Sequence, residues 1–138
     1  MKKLILLIGI LFTAIGFSQP INVNTTNYTV PQLVNNVLIN SSCVTANNIS
    51  WSTGTNFGSV NGIGYFSNNN PNFPMQSGVV LSTGNVLEVG GPNTTHLSSG
   101  SSSWAGDATL EATLAASGIS MSSTNASVLE FDFVALSN

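Results

Sequence analysis

The stretch 128-VLEFDFV-134 decides the fold, because its side chains alternate strictly between apolar and polar. In an extended chain Leu129, Phe131 and Phe133 lie on one side. Glu130 and Asp132 lie on the other. Three large apolar side chains on one face need a neighbouring strand and an opposing layer to cover them. The pattern therefore predicts a β-strand in a sheet with one buried face.

Other short runs of β-forming residues predict further strands upstream, separated by Gly, Asn and Pro. They cover residues 49–55, 63–66, 79–81 and 86–89. Short strands separated by turn residues in this way are typical of an all-β domain.

Two short helices interrupt the strands. Residues 30–39 carry apolar side chains at positions 30, 33, 34, 37 and 38, the spacing of an amphipathic helix, and Thr29 can cap it. Residues 107–117 begin with Asp107 as a cap and stop before Gly118. The predicted class is mainly β, an antiparallel β-sandwich-like domain with two short helices.

The domain is expected to be incomplete at its C-terminal end. The predicted strands are few for two packed sheets, and the alternating strand 128–134 ends close to Asn138. Cys43 is the only cysteine, so it has no partner within the chain. We therefore expect residues 19–138 to be the N-terminal part of a longer domain.

Residues 1–18 have the order of a secretory signal peptide, with two lysines, an apolar segment 4–17 and then Ser18. A membrane anchor is the alternative. As a helix, however, residues 4–17 would span roughly 21 Å, short of the roughly 30 Å hydrocarbon core of a bilayer. We expect cleavage after Ser18, export, and no membrane insertion of the mature chain.

Charged residues make up only 5% of the chain, against about 25% in a typical globular domain. Lys2 and Lys3 are the only cationic residues, so the mature chain would carry no Lys or Arg. Without cations it cannot neutralise the phosphates of nucleic acid or bind electrostatically to an anionic bilayer. Both are excluded as partners. The hydrophobic fraction of 42% indicates a folded chain.

No catalytic motif stands out. His96, the only histidine, lies in a polar segment without a Gly-X-Ser-X-Gly motif nearby. Cys43 and His96 could be imagined as a thiol dyad, but neither lies in a recognisable motif. We expect no enzyme activity.

Two carboxylate pairs are the candidate cation ligands. Asp107 and Glu111 lie four residues apart on the second predicted helix, and Glu130 and Asp132 share a strand face. Either pair could supply oxygen atoms to Ca²⁺, which takes roughly six to eight oxygen ligands. The alternative is a helix cap and a solvated strand face. Since no Asp-X-Asp-X-Asp loop is present, we expect no cofactor and no calcium dependence.

Aromatic residues suggest a second kind of site. Trp51 and Trp104 could stack on sugar rings, and a carboxylate pair could serve glycoside hydrolysis. The alternative is that most of the aromatic side chains belong to the core. A carbohydrate-binding or carbohydrate-active extracellular protein is therefore the second functional hypothesis.

The string 77-SGVVLSTGN-85 resembles the G-[IV]-[VIL]-L-[SC]-T-G signature of the choice-of-anchor L domain. That family occurs in secreted bacterial surface proteins whose C-terminal anchors or sorting domains differ. Further blocks resemble the same family in order along the chain, over residues 21–138: 29-TVPQLVNNVLI-39, 48-NISW-51, 61-NGIGYF-66, 106-GDATLE-111 and 128-VLEFDFVAL-136.

The resemblance implies an extracellular, β-rich module, often within large adhesin-like proteins exported through the type IX pathway, and no established catalytic residues. It also implies a further sheet after VLEFDF with additional acidic and Cys positions, one of which could pair with Cys43. The leading hypothesis is a non-enzymatic secreted or cell-surface module for adhesion or display. Its partner would be an extracellular glycan or protein surface.

Overall fold

The computed structural model describes residues 21–54, 60–69, 73–91, 93–97, 99–101 and 103–136. The predicted signal peptide, residues 1–18, lies outside the described residues. No helix in the described ranges combines the length and apolar character that a membrane crossing requires.

Five antiparallel strands form two sheets in the described part of the chain. The three-stranded sheet has the order β1, β3, β4, with β1 at Asn22–Asn24, β3 at Ile63–Ser67 and β4 at Ser77–Leu81. The two-stranded sheet pairs β2, Val44–Ser52, with β5, Val128–Ala135. With 23% helix and 30% strand, the chain is mainly β, which confirms the predicted class.

Helix α1 starts at Val30–Gln32 and continues with π-helical hydrogen bonding over Leu33–Ile39. The predicted cap is present. The Thr29 hydroxyl accepts from the Gln32 backbone N–H at 3.4 Å, and the Gln32 side chain accepts from the Thr29 backbone N–H at 2.8 Å. Asn40 ends the helix in the left-handed conformation, with φ 36°. Local sequence therefore defines both ends of α1.

The core lies where α1 packs against both sheets. Val30 and Leu33 from α1, with Ile63 from β3, are at most 1% exposed. Six partly buried side chains pack against these three: Tyr28, Val37, Ile49, Tyr65, Val79 and Leu129. Because they come from both sheets as well as from α1, a single cluster joins the two sheets through the helix.

Helix α2 spans Ala108–Ala116, within the predicted range. Its predicted cap is present, since Asp107 Oδ1 accepts from the Leu110 N–H at 2.6 Å. Gly118 follows the helix with φ 80°, a conformation that favours glycine. None of the α2 residues is buried. The helix is held by its cap and flanking contacts rather than by core packing.

Residues 86–89, predicted as a strand, belong instead to a 3₁₀ helix, Val86–Gly90. The strand prediction was wrong because Val86 and Val89 lie three residues apart, one turn of a 3₁₀ helix, and therefore share a face. Val86 is buried on that face and Val89 partly buried. Asn85 caps the turn through its side chain.

The C-terminal half of β5 extends beyond the core. Leu129 packs against the core cluster as expected, whereas Phe133 on the same face is 70% exposed. Phe133 pairs with Ala46, and Leu129 pairs with Trp51. A register shift in β2 separates these two pairs. The alternation is therefore present, but the burial that it predicted is limited to one end of the strand.

Strand ends from the two sheets meet in a ring of four hydrogen-bonded residues, Thr53, Gly62, Ser82 and Ser127, here called the junction. The Gly62 N–H donates to Thr53 Oγ1 at 2.6 Å, and the Ser82 N–H donates to the Gly62 carbonyl oxygen at 2.8 Å. Ser127 Oγ donates to the Ser82 carbonyl oxygen at 2.7 Å and lies 3.4 Å from Thr53 Oγ1. A Cβ at position 62 would overlap the Ser82 and Ser127 oxygens, so this close approach requires glycine.

Removing a core side chain from α1 should destabilise the fold strongly. We expect Leu33→Ala to lower the free energy of unfolding by about 2–5 kcal/mol, because it leaves a cavity between both sheets. The matched control is Leu110→Ala, a helical leucine that is 50% exposed, with an expected change within about 0.5 kcal/mol. Urea unfolding monitored by circular dichroism measures both. Equal effects would contradict the assignment of the core.

Breaking the junction should also cost stability. Ser127→Ala leaves the Ser82 carbonyl without its side-chain donor, and we expect a loss of about 1–3 kcal/mol in unfolding free energy. Ser122→Ala, at an exposed serine in the same segment, serves as the control. If chemical denaturation gave the same midpoint for the two variants, the junction would not link the sheets energetically.

Candidate functional site

A cavity of about 570 Å³ opens beside the junction. It is lined by residues 82–85, Leu97, 99–101, Thr124 and Asn125, and is here called the STGN cavity after its first segment. Its volume lies in the range of small-molecule sites, roughly 300–1,000 Å³. Three segments that are distant in sequence therefore form one concave surface.

The first segment, residues 82–85, leads from β4 into the 3₁₀ helix. Ser82 Oγ accepts from the Gly84 N–H at 3.1 Å and tightens the turn. Asn85 Oδ1 accepts from the Leu87 N–H at 3.2 Å and caps the 3₁₀ helix. The side chains of this segment thus hold their own backbone in place at the edge of the cavity.

The other two segments are tied to the first by side chains. Ser99 Oγ accepts from the Asn85 N–H at 2.8 Å, and Asn125 Oδ1 accepts from the Ser101 N–H at 2.9 Å. Asn125 has a left-handed φ of 57°. Gly100 lies so close to it that a Cβ would be 2.7 Å from Asn125 Oδ1. The cavity wall is therefore a connected hydrogen-bonded structure rather than a set of independent loops.

The cavity lining is polar and uncharged. Among the described residues it consists of Ser, Thr, Asn and Gly with one apolar side chain, Leu97. Hydroxyl and amide groups both donate and accept hydrogen bonds. Such a lining can hold an uncharged polar molecule, and it offers no imidazole, carboxylate or thiol for acid-base or nucleophilic chemistry.

The two tryptophans considered for sugar stacking lie outside this lining. Trp104 is 3% exposed, and its indole N–H donates to the Ala126 carbonyl oxygen at 2.7 Å. Its ring therefore offers no open face to a sugar and instead anchors the base of the segment that carries α2. Trp51, on β2, is 43% exposed and pairs with Leu129 across the two-stranded sheet.

Asp107 and Glu111, the candidate calcium ligands, both have partners within the protein. Asp107 caps α2. Glu111 Oε1 accepts from the Ser123 backbone N–H at 2.6 Å and from the Ser123 hydroxyl at 2.8 Å. The described residues contain no group of three or more His, Cys, Asp or Glu side chains that could hold a metal ion. The Glu111 carboxylate therefore holds α2 to the segment that returns to the cavity wall.

Glu130 and Asp132 lie on the exposed face of β5. The Asn48 side-chain amide donates to Asp132 Oδ2 at 2.7 Å, and the Ser50 hydroxyl donates to Glu130 Oε2 at 3.4 Å. Asn48 lies at the register shift of β2 with φ 51°. Both carboxylates therefore tie the two strands together, and neither lines the STGN cavity.

Cys43 and His96 are not brought into a dyad. Cys43 is exposed at the edge of β2, and its carbonyl oxygen accepts from the Leu136 N–H at 2.7 Å. His96 is exposed and outside the cavity lining, although its neighbour Leu97 belongs to it. No hydrogen bond in the described part of the chain joins the two side chains.

The link between α2 and the cavity wall should depend on pH. The two hydrogen bonds from Ser123, first the backbone N–H and then the hydroxyl, lower the pKa of Glu111 below its usual value of 4.5. A lowered pKa in the folded state adds stability above that usual value, and this stability is lost as pH falls through the folded value. We expect Glu111→Gln to be less stable than the natural protein at pH 7 and to approach it at pH 3.

Thermal unfolding between pH 7 and pH 3 measures this difference. Glu130→Gln is the matched control, because the Glu130 carboxylate reaches only the Ser50 hydroxyl, at 3.4 Å. A difference between the natural protein and Glu111→Gln that stays constant over this pH range would contradict the role of Glu111.

Comparison with known proteins connects this geometry to a family. The sequence model of the choice-of-anchor L domain matches residues 22–138, which include every strand and helix described above. No curated protein and no solved structure matches the chain. The match confirms the resemblance seen in the signature string. It suggests a surface-associated module, and the family is not a known enzyme family. The chain belongs to the choice-of-anchor L domain family.

Proposed function

We propose that the chain is a non-enzymatic module at the bacterial cell surface, or secreted from the cell, that works in adhesion or display as part of a larger surface protein. The observation that carries this proposal is the STGN cavity, a connected wall of neutral hydrogen-bonding groups formed in part by the signature segment 82–85. Family membership supports the location at the surface.

The chemistry of the cavity favours binding over catalysis. A serine or threonine nucleophile needs a neighbouring general base. The hydroxyls of Ser82 and Ser99 accept instead from backbone amides, which cannot remove a proton. Two carboxylates that could assist hydrolysis are engaged elsewhere, Glu111 with Ser123 and Asp132 with Asn48. The Glu88 carboxylate, next to the lining, accepts from the Asn85 side-chain amide at 3.4 Å. The site is therefore suited to holding a ligand unchanged.

Export is the second part of the proposal. Residues 1–18 have the composition of a cleaved signal peptide, and we expect the type IX pathway to carry the mature protein outward, as in adhesin-like members of the family. The chain has no Lys or Arg after Lys3. This composition fits a surface molecule that binds neither nucleic acid nor an anionic bilayer through positive charge.

Surface display can be tested on intact cells that produce the protein. An antibody against residues 19–138 should label unbroken cells, and external protease should remove the label. A cytoplasmic protein of the same cells, probed in parallel, is the control for lysis. Labelling that appears only after the cells are broken would overturn the proposal.

A further inference from the structure

We propose that the STGN cavity binds an uncharged saccharide. This inference rests on the proposed function and names the ligand class of the same site. The proposed sugar-binding residues are the Ser, Thr and Asn residues of the cavity wall, which includes the signature segment 82–85. They replace Trp51 and Trp104 as the candidates for sugar binding.

The first observation concerns the hydrogen bonds of two hydroxyl groups in the cavity wall. Ser82 Oγ and Ser99 Oγ each accept a backbone N–H, from Gly84 and Asn85 respectively. A hydroxyl has one proton and two lone pairs. Neither hydroxyl donates a hydrogen bond to another described residue, so each can donate to a further acceptor. Both residues line the cavity. They provide fixed O–H donors for the hydroxyl or ring oxygens of a sugar.

The second observation is a side chain without an internal role. Thr83 lines the cavity, and its hydroxyl makes no hydrogen bond within the described residues. It can donate to and accept from a ligand hydroxyl, which itself does both. Leu97 adds one exposed apolar contact, suited to the C–H face of a sugar ring. A saccharide carries hydroxyl groups next to apolar C–H faces, so it can contact both Thr83 and Leu97.

The third observation is electrostatic. After Lys3 the chain has no Lys or Arg to pair with an anionic ligand. The only charged group bonded to the described lining is negative, since Asn85 Nδ2 donates to Glu88 Oε1 at 3.4 Å. A carboxylate in this position repels acidic sugars at short range. The cavity should therefore discriminate in favour of neutral saccharides.

The position of the cavity argues against an extended peptide. Peptides that add to a sheet bind along the free backbone edge of a strand. The STGN cavity lies past the end of β4 and is walled by a turn and by loop segments. It therefore suits a compact ligand.

Isothermal titration calorimetry with the purified protein tests the inference. The probes are maltotriose, cellotriose, mannotriose and triacetylchitotriose, with trigalacturonic acid as the acidic counterpart. We expect at least one neutral trisaccharide to bind with an affinity that changes little with salt concentration. Trigalacturonic acid should bind with a higher Kd than the neutral trisaccharides. Glu88→Gln removes the negative charge but keeps an oxygen that can accept from the Asn85 side-chain amide. This variant should therefore reduce the difference in Kd between the acidic and the neutral probes.

Two changes at one residue assign the binding to the cavity. Thr83→Val removes a hydroxyl that has no internal partner and should raise the Kd about threefold to tenfold, the effect of roughly one hydrogen bond. Thr83→Trp should obstruct the cavity and abolish binding. Thr45→Val, at an exposed threonine of β2, is the control and should leave the Kd unchanged. Cooperative unfolding of every variant verifies folding.

Three results would overturn the inference: no binding of any neutral probe by folded protein, tighter binding of trigalacturonic acid, or binding that survives Thr83→Trp. Surface labelling of intact cells that persists in such a case leaves the proposed display function standing with a different ligand. Failure of the inference and failure of the proposed function are therefore distinguishable.

Discussion

The hydrogen bond from the Ser127 hydroxyl to the Ser82 carbonyl oxygen connects two sheets that share no strand ladder in the described part of the chain. Ser82 follows β4 of one sheet, and Ser127 precedes β5 of the other. The bond from Gly62 to Thr53 makes the same connection between β3 and β2. Together with the cluster under α1, these strand ends define how the sheets meet.

The STGN cavity depends on this arrangement. The segment that lines its first wall begins at Ser82, a member of the junction, and the third wall, Thr124 and Asn125, precedes Ser127. The same backbone that joins the sheets therefore orients the groups that face the cavity. Glu111 stabilises the third wall indirectly. It accepts two hydrogen bonds from Ser123, which directly precedes the lining residue Thr124. A site made of loops acquires defined geometry in this way.

Several helical caps and loop contacts in this fold are hydrogen bonds between uncharged groups. Thr29 and Asn85 cap helical segments. Ser99 and Asn125 bind backbone amides of neighbouring loops. Each such bond adds only roughly 0.5–1.5 kcal/mol, but bonds between uncharged groups are insensitive to salt. The ties made by Ser99 and Asn125 should therefore change little with salt concentration.

Local sequence by itself determined the elements whose causes are local. The Thr29 and Asp107 caps, the apolar stripe of residues 30–38, the alternation of 128–134 and the stop at Gly118 each act within a few residues, and the structure contains all of them. The signature string likewise identified the family. Tertiary structure decided what requires distant segments to meet. The 3₁₀ helix at Val86 forms because its buried face has a partner, and Phe133 is exposed because α1 covers only one end of the two-stranded sheet. The cavity arises where residues 82–85, 99–101 and 124–125 converge, and no spacing along the chain encodes that convergence.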